Sequence, residues 1–352
     1  PPQQRGLALG LWSVAAAASI SFGPLIGGYL VDDYSWHLIF DVNVPVGLAA
    51  ILFAIFIQKE WRGARAGSFD WPGFLCVVCF MPLLIFALAR GNSPLNPEGW
   101  SSPEVIGCFA VAAAALIVFI VRELRCENPL LNLKLLGERN FGVSMAVLAI
   151  FGIGMLGGTY LLPLYMQKGL GYTAIMAGSV FLPVGLIQGV LSTCSGFLTR
   201  YIKPLFIAVT GILVMTLSFY FASRFTLHTT HAQIMLVLYL RGFGMGLTFA
   251  PLNDFSLMNL SQRDMASAAG ISNSIKQLSG SVSIALLTVI LTGRTAFHSA
   301  QGGLSSAESY VAGISDDFLF VTFVSLASAL PFLWLLRPRR KAASFKSEGT
   351  GT

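Results

Sequence analysis

The sequence predicts an all-α protein that crosses a lipid bilayer many times. Of its 352 residues, 55% are hydrophobic and only 11% are charged, whereas soluble domains carry about 25% charged residues. A chain this apolar cannot cover its own surface in water. The apolar residues also fall into ten blocks, each close to the length of about 20 residues that a helix needs to span a bilayer.

Each of the ten blocks is predicted to be one membrane-spanning helix. Lipid offers no hydrogen-bond partner to the backbone, so an apolar segment that crosses it must satisfy its own backbone groups. Polar and turn-forming residues separate the blocks, most clearly over 58–70, 90–102, 122–140 and 292–313. The predicted spans are 7–31, 38–57, 72–89, 103–121, 141–166, 174–197, 204–223, 233–258, 268–291 and 315–336.

The lysine and arginine residues predict the orientation of these helices. If residue 1 lies in the cytoplasm, 16 of the 22 basic residues fall in cytoplasmic connections and four in outer ones. Basic residues are enriched on the cytoplasmic side of membrane proteins, so we expect both ends of the chain in the cytoplasm. The scatter of charge between apolar blocks argues against nucleic-acid binding.

The first predicted helix contains an unusual run, SISFGPLIGG, from Ser19 to Gly28. Pro24 removes a backbone donor and bends the helix. Gly23 and Gly27 are four residues apart, so we expect them to share a face that lets another helix approach closely. The alternative is a packing kink of the kind common in membrane helices.

Together with the stretch SWHLIFDVNVPVG at 35–47, this run resembles the GPxxGG element and the SWRxIFxxNVPxG stretch of the fourteen-helix drug:proton antiporters. These form the EmrB/QacA-like branch of the major facilitator superfamily. Further similar pieces follow in the order of the family: FDWPG (69–73), ENPLL (127–131), RNF (139–141), YLLPLYMQ (160–167), GY (171–172), AG (177–178), AAG (268–270), Asn273 and KQLSGS (276–281). Across all these pieces, the sequence departs from the family pattern at Ser19, Asp41, Lys276, Ser279 and Ser283.

The resemblance implies a domain organisation. The ten helices would be the family's fifth to fourteenth, with helices one to four expected before residue 1. Residues 1–57 would then hold the last two helices of the N-terminal half, and 58–123 a cytoplasmic loop plus two linker helices. Residues 124–336 would be the six-helix C-terminal half, and 337–352 a basic cytoplasmic tail.

The resemblance also implies a function. The protein would export lipophilic or cationic small molecules across the bacterial inner membrane in exchange for protons, using the proton gradient and no cofactor. Some relatives of Gram-negative origin also use a periplasmic adaptor protein, which is a further candidate partner. The antiporter-motif helix would lie between the two halves and seal the pathway against leak, through Gly23, Pro24, Gly27 and Gly28.

Three ionisable residues within predicted spans are candidates for coupling. A charge at bilayer depth is costly and usually faces a cavity or a partner. Arg241 lies near the predicted outer face, where its side chain either reaches the headgroups or enters a cavity. Asp254 and Lys276 differ in depth by about 6 Å at 1.5 Å per residue, so we expect a pair or a shared cavity site that changes between inward-open and outward-open states. The alternative is a static pair or independent interfacial charges. Asp41 is expected at the outer interface.

Other polar and aromatic residues in the spans are candidates for a substrate cavity. An apolar cavity with aromatic walls and few polar groups suits lipophilic cations. The alternative for each of these residues is an ordinary hydrogen bond between helices. The candidates are Thr159, Tyr160, Gln188, Asn253 and Asn273.

Rival functions remain open at this stage. One is a transporter of the same superfamily for a siderophore, lipid, sugar or amino-acid derivative, and another is a non-transporting membrane scaffold. An enzyme is not expected, because the chain lacks paired carboxylates, a nucleophile–base pair and an HExxH motif. The GxGxxG run at 152–157 lies within one apolar span and predicts helix packing. No metal site is expected, because His228 and His231 lack a third ligand.

Overall fold

The computed structural model describes residues 19, 22–57, 70–91, 93, 96–126, 129–261, 264–301 and 303–335. Nine helices in these residues are long and apolar enough to cross a membrane, and none of the described residues forms a strand. The predicted all-α membrane fold is therefore confirmed. Most of the predicted first span, nearly all of the 58–70 connection and the basic tail lie outside the described residues.

The helices follow one another with short connections. Two of them start with a proline in the first turn, where its missing N–H costs nothing. Two others start with capping boxes, at Thr230 and Ser305. We number the helices α1 (residues 22–33), α2 (Leu38–Ile57), α3 (Trp71–Gly91), α4 (Pro103–Arg125), α5 (Arg139–Gly169), α6 (Ala174–Leu198), α7 (Pro204–Ala222), α8 (His231–Leu257), α9 (Met265–Ala300) and α10 (Ser306–Phe332).

The bounds of α2 to α8 agree closely with the predicted spans, but the predicted connection over 292–313 is wrong. Helix α9 continues to Ala300 and α10 already begins at Ser306. The prediction followed hydropathy, which falls at the polar residues near the ends of both helices. A helix does not have to end where its apolar stretch ends.

Polar contacts explain why both helices extend beyond their apolar stretches. The carboxylate of Asp316 on α10 lies 2.5 Å from Nε of Arg294 and 2.8 Å from Nε2 of His298, which are one turn apart on α9. The start of α10 is fixed by a capping box between Ser305 and Glu308. These bonds stabilise helical backbone outside the apolar stretches.

Helices α5 to α10 form a bundle. Helix α5 packs against α8, α9 and α10, while α7 packs on α8 and α10, and α6 packs on α8. Helices α3 and α4 form a separate hairpin with a smaller contact on α9. The largest fully buried side chains of the bundle include Phe141, Phe151, Tyr165, Phe219 and Phe318.

Glycines in α8 bring its backbone against two neighbours at once. A Cβ atom on Gly244 would lie 2.9 Å from the backbone oxygen of Gly211 on α7. Cβ atoms on Gly242 and Gly246 would lie 2.9 and 3.0 Å from backbone oxygens of α6. Because these distances leave no room for a side chain, glycine at these positions sets the spacing of the three helices.

The GxGxxG run packs α5 against α9, which confirms the packing interpretation. A Cβ atom on Gly152 would lie 2.9 Å from Cβ of Ser279, and one on Gly157 would lie 2.8 Å from the hydroxyl of Ser283. The Ser283 hydroxyl donates a hydrogen bond to the Ile153 carbonyl of α5 at 2.6 Å. Serine at these two positions of α9 therefore still permits a close crossing.

An ion pair at the FDWPG motif holds the α3–α4 hairpin together. The buried carboxylate of Asp70 accepts hydrogen bonds from the Gly73 backbone at 3.1 Å and from Nε of Arg122 at 2.7 Å. Burial opposes ionisation of this carboxyl. The two hydrogen bonds and the charge of Arg122 nevertheless hold the pKa of Asp70 below its usual range.

The PLL motif continues this network towards the bundle. The carboxylate of Glu123, which is 1% exposed, accepts hydrogen bonds from the backbone N–H groups of Leu130 and Leu131. The next residue, Asn132, donates to Asp264 in the α8–α9 connection at 3.2 Å. These hydrogen bonds therefore connect the α3–α4 hairpin to the bundle on the predicted cytoplasmic side.

We predict that Arg122→Met lowers the apparent melting temperature of the purified protein, because it leaves a buried carboxylate without its cation. The exposed Arg125→Met is the matched control and should have little effect. Since the folded-state pKa of Asp70 lies below the usual value of about 4, the ion pair stabilises the fold above that pH. Its contribution is lost as the pH falls through the lowered pKa.

The difference between wild type and Arg122→Met should therefore shrink in acid. Equal melting temperatures of the two proteins at neutral pH would contradict this account of the hairpin.

Candidate functional site

The motif helix α1 makes backbone contact with the start of α6. A Cβ atom on Gly178 would clash with the carbonyl oxygen of Pro24, and one on Gly28 would clash with the carbonyl oxygen of Ala174. Pro24 and Gly28 are four residues apart and share a face of α1. The two helices therefore touch through backbone, with glycine required on both sides.

The predicted close approach at Gly23 and Gly27 has no partner helix among the described residues, and it stays a prediction. No described atom lies within 4 Å of a Cβ atom on either residue. The contact falls instead on the face of Pro24 and Gly28, about 100° around the helix from Gly27. Spacing along one helix identified a small-residue surface, but not which side of it faces α6.

Asp32, at the end of α1, fastens the same contact. Its carboxylate accepts hydrogen bonds from the backbone N–H groups of Ile175 at 2.7 Å and Ala174 at 3.2 Å. These bonds, that from Ile175 above all, lower the pKa of the Asp32 carboxyl. The carboxylate caps the N-terminus of α6, where unpaired N–H groups favour negative charge. Sequence reasoning missed this role because it depends on which helix start lies nearby.

Arg241 of α8 lies inside the bundle and is 2% exposed. Its Nη2 atom donates hydrogen bonds to the Met155 carbonyl at 3.0 Å and to the Thr159 hydroxyl, both on α5. Its Nε and Nη1 atoms are buried and have no hydrogen-bond partner among the described residues. The alternative in which Arg241 reaches the headgroups is therefore wrong, and the charge lies between α5 and α8.

The structure does not pair Asp254 with Lys276. The carboxylate of Asp254 accepts a hydrogen bond from the Thr199 hydroxyl at 3.3 Å. The Lys276 ammonium lies 5.3 Å from the centre of the Phe249 ring on α8, and that ring packs edge-on against Phe151 at 6.0 Å. Both residues are described, and no ion pair joins them in this conformation, so a static pair is wrong and the site that changes between conformations stays a prediction.

The five substrate candidates have different environments. The Tyr160 hydroxyl lies 3.1 Å from that of Thr288, and both side chains line a cavity of about 430 Å³ between α5, α9 and α10. Thr159 is bound to Arg241. The side-chain oxygen of Gln188 is buried without a described partner, while Asn253 and Asn273 have exposed side chains.

One buried acid was missed altogether by sequence reasoning. Asp317 of α10 is 0% exposed, and neither carboxylate oxygen has a hydrogen-bond partner in the described part of the chain. The adjacent acids Asp316 and Asp317 were visible in the sequence. Both residues fall at the start of the predicted span 315–336, and the sequence analysis gave neither of them a role.

The sequence was compared with known proteins. The model of the Major Facilitator Superfamily matches residues 1–284. The chain belongs to the major facilitator superfamily. It is 31% identical to the multidrug export protein EmrB of Escherichia coli (strain K12) over 304 residues, which cover 86% of the chain and 59% of that relative. Similarity to this protein confirms the predicted EmrB/QacA-like branch.

Two other relatives show the range of the match. The multidrug export protein EmrB of Haemophilus influenzae is 31% identical over 86% of the chain and 59% of its own length. The fatty acid resistance protein FarB of Neisseria gonorrhoeae is 26% identical over 96% of the chain and 73% of its own length. The chain spans less than two thirds of the length of both EmrB proteins.

We predict that the two neighbouring glycines of the motif respond differently to alanine. Gly28→Ala forces α1 away from α6 and should destabilise the protein by about 1–3 kcal/mol, the usual cost of overpacking. Gly27→Ala is the control and should be neutral or stabilising by up to about 1 kcal/mol, because its Cβ meets open space. Unfolding of the purified proteins measures both, and equal effects would refute the backbone contact.

Because no ion pair joins Asp254 and Lys276, we predict that a double-mutant cycle of these residues shows no coupling energy. The effects of Asp254→Asn and Lys276→Gln on the free energy of unfolding should add to within about 0.5 kcal/mol. A coupling energy well above that value would show that the two charges interact.

Proposed function

We propose that this chain supplies the fifth to fourteenth helices of a transporter that exports lipophilic and cationic compounds across the bacterial inner membrane in exchange for protons. The observation that carries the proposal is the seam between α1 and α6. We use this name for the contact formed by Pro24, Gly28 and Asp32 with residues 174–178. The names of the EmrB relatives, which are multidrug export proteins, support the same function.

The seam has the properties required for alternating access. Such transporters move two halves against each other around a central binding site. Helices α5 to α10 pack together as one unit, whereas α1 meets this unit at the start of α6. Backbone contact through Gly28 and Gly178 closes the gap between the helices. The exposed Asp32 carboxylate accepts hydrogen bonds from two backbone N–H groups of α6, and water can replace these bonds when the helices separate. In the predicted orientation, this seam closes the outer side.

A cation site on the exposed side of the bundle supports the substrate class. The half-buried Phe249 ring already holds the Lys276 ammonium at cation–π distance, and a lipophilic organic cation satisfies the same geometry. The exposed amides of Asn253 and Asn273 lie on the same two helices, α8 and α9. Polar groups exposed on membrane helices usually face protein or a water-filled cavity.

Coupling to protons requires charges whose environment changes between conformations. Arg241 has two buried nitrogen atoms without described partners, so a movement of α5 against α8 changes its hydrogen bonding. In the proposed transporter, both ends of this chain lie in the cytoplasm, and a periplasmic adaptor protein is a candidate partner.

Export of fatty acids is a second candidate function. The relative FarB is named for fatty acid resistance, and the ammonium of Lys276 offers a partner for a carboxylate. In that case the headgroup of the substrate would displace the contact between Lys276 and Phe249.

We predict that everted vesicles containing the full-length protein accumulate a lipophilic dye cation when a proton gradient is imposed. Phe249→Ala should raise the apparent KM for the cation by about 2–30-fold, which corresponds to a cation–π energy of about 0.5–2 kcal/mol. The exposed Phe243→Ala on the same helix is the matched control. Absence of dye uptake, or uptake that does not depend on the gradient, would contradict the proposal. Proton release on addition of a fatty acid but not of the dye cation would favour the second candidate.

A further inference from the structure

We propose that Asp317 is a proton-binding site, reached from the predicted outer side through the cavity between α5, α9 and α10. The inference deepens the proposed proton-coupled function and rests on it for its role in transport. The ligand is a proton delivered by water. Neither the family pattern nor any motif of the sequence points to this residue.

The environment of the Asp317 carboxyl group makes its ionisation energetically unfavourable. It is 0% exposed and receives no hydrogen bond from any described residue. Its neighbours on α10 include Phe318 and Val321, both fully buried. A carboxylate without compensation inside a membrane bundle costs several kcal/mol, about the effective penalty per buried ion. In this conformation the group is therefore neutral and holds a proton.

The adjacent acid, Asp316, has the opposite environment. It is partly exposed, and its carboxylate binds Arg294 and His298 of α9. The two basic groups that α9 offers in this region are thus already engaged by Asp316. Two neighbouring acids therefore differ in role, with one ion-paired and one buried without a partner.

The remaining titratable groups around the site lie towards the cavity. Tyr310 of α10 and Tyr160 of α5 line the same cavity, and Tyr310 precedes Asp317 by about two helical turns. The Lys168 ammonium, at the end of α5, lies 5.9 Å from the centre of the Tyr310 ring. On the α7 side, Phe219 stacks on Phe318. We infer that the polar approach to Asp317 is from the cavity lined by Tyr160, Lys168 and Tyr310, because Tyr310 and Asp317 are seven residues apart and lie on similar faces of α10.

Two buried hydroxyl groups lie at or next to the cavity lining, because Thr295 lines the cavity and Ser309 precedes the lining residue Tyr310. Thr295 of α9 lines the cavity, and its Oγ1 atom lies 2.6 Å from the position of a Cβ atom on Gly313. Ser309, Gly313 and Asp317 are spaced by four residues and share one face of α10. The hydroxyls of Thr295 and Ser309 have no described hydrogen-bond partner. Buried polar groups of this kind are usually satisfied by ordered water.

The arrangement gives a binding and release cycle without any covalent step. While α9 and α10 pack as described, the carboxyl keeps its proton because water does not reach it. When the helices part and water enters from the cavity, the carboxylate becomes solvated and the proton passes to that water. The conformation of α9 and α10 then controls proton occupancy.

Infrared difference spectroscopy of the purified full-length protein tests the site directly. A protonated carboxyl gives a C=O stretching band that is absent from a carboxylate. We expect this band in wild type at neutral pH and its loss in Asp317→Asn. Asp316→Glu is the matched control and should retain the band, because a carboxylate at this position can keep Arg294 and His298 engaged. A band that persists in Asp317→Asn, or disappears in Asp316→Glu, would overturn the proposal.

A second variant keeps the test decisive if Asp317→Asn fails to fold. In protein labelled with ¹³C in the aspartate side chain, the wild-type band should shift to lower frequency. In Asp317→Glu the carboxyl at this site is unlabelled glutamate, so the band should remain unshifted by the label. A label-induced shift of the same size in Asp317→Glu would assign the proton to another aspartate and refute the proposal.

The outcome separates this inference from the proposed export function. The infrared band requires neither substrate nor a gradient, so its absence in wild type would refute the proton site while leaving dye uptake unaffected. Conversely, the band can be present in a protein that fails to accumulate dye, in which case the export function fails and the proton site stands.

Discussion

Backbone contact at glycines is the constraint on which the helix arrangement depends. Lipid tails are as apolar as leucine side chains, so burying apolar surface gives little drive for membrane helices to associate. Close van der Waals contact and polar bonds across the crossings must supply it. Helix α8 shows this directly, because Gly244 lies against α7 while Gly242 and Gly246 lie against α6. A larger side chain at any of these positions would push two helices apart.

The same close packing explains the environments of the two unusual ionisable groups of the bundle. Helices that touch through backbone exclude water, so polar side chains between them must find partners in the protein. Arg241 donates hydrogen bonds to two groups on α5, and its other two guanidinium nitrogen atoms have no described partner. Asp317 finds none among the described residues. Both groups are costly in the conformation described here, which makes the packing of α5 with its neighbours sensitive to their ionisation and hydration.

The sequence predicted the helices well and their contacts poorly, for a physical reason. A helix that crosses lipid must be apolar along its length, so the bounds of α2 to α8 followed from composition. The extension of α9 and α10 depended on bonds from Arg294 and His298 to Asp316, which join residues distant in sequence. For the same reason, spacing within α1 identified small residues but chose Gly23 and Gly27, whereas Pro24 and Gly28 face α6. Asp254 and Lys276 lay at compatible depths, yet each has a different partner.

The central claim is that the contact between α1 and α6 opens and closes during transport. Disulfide cross-linking tests it directly, with Asp32→Cys and Ile175→Cys introduced into a full-length background in which the native cysteines are replaced. The Asp32 carboxylate lies 2.7 Å from the Ile175 backbone nitrogen, so the two cysteines should cross-link on oxidation. The account predicts that the cross-linked protein stops exporting substrate and that a reductant restores export. Undiminished export by the fully cross-linked protein would contradict it.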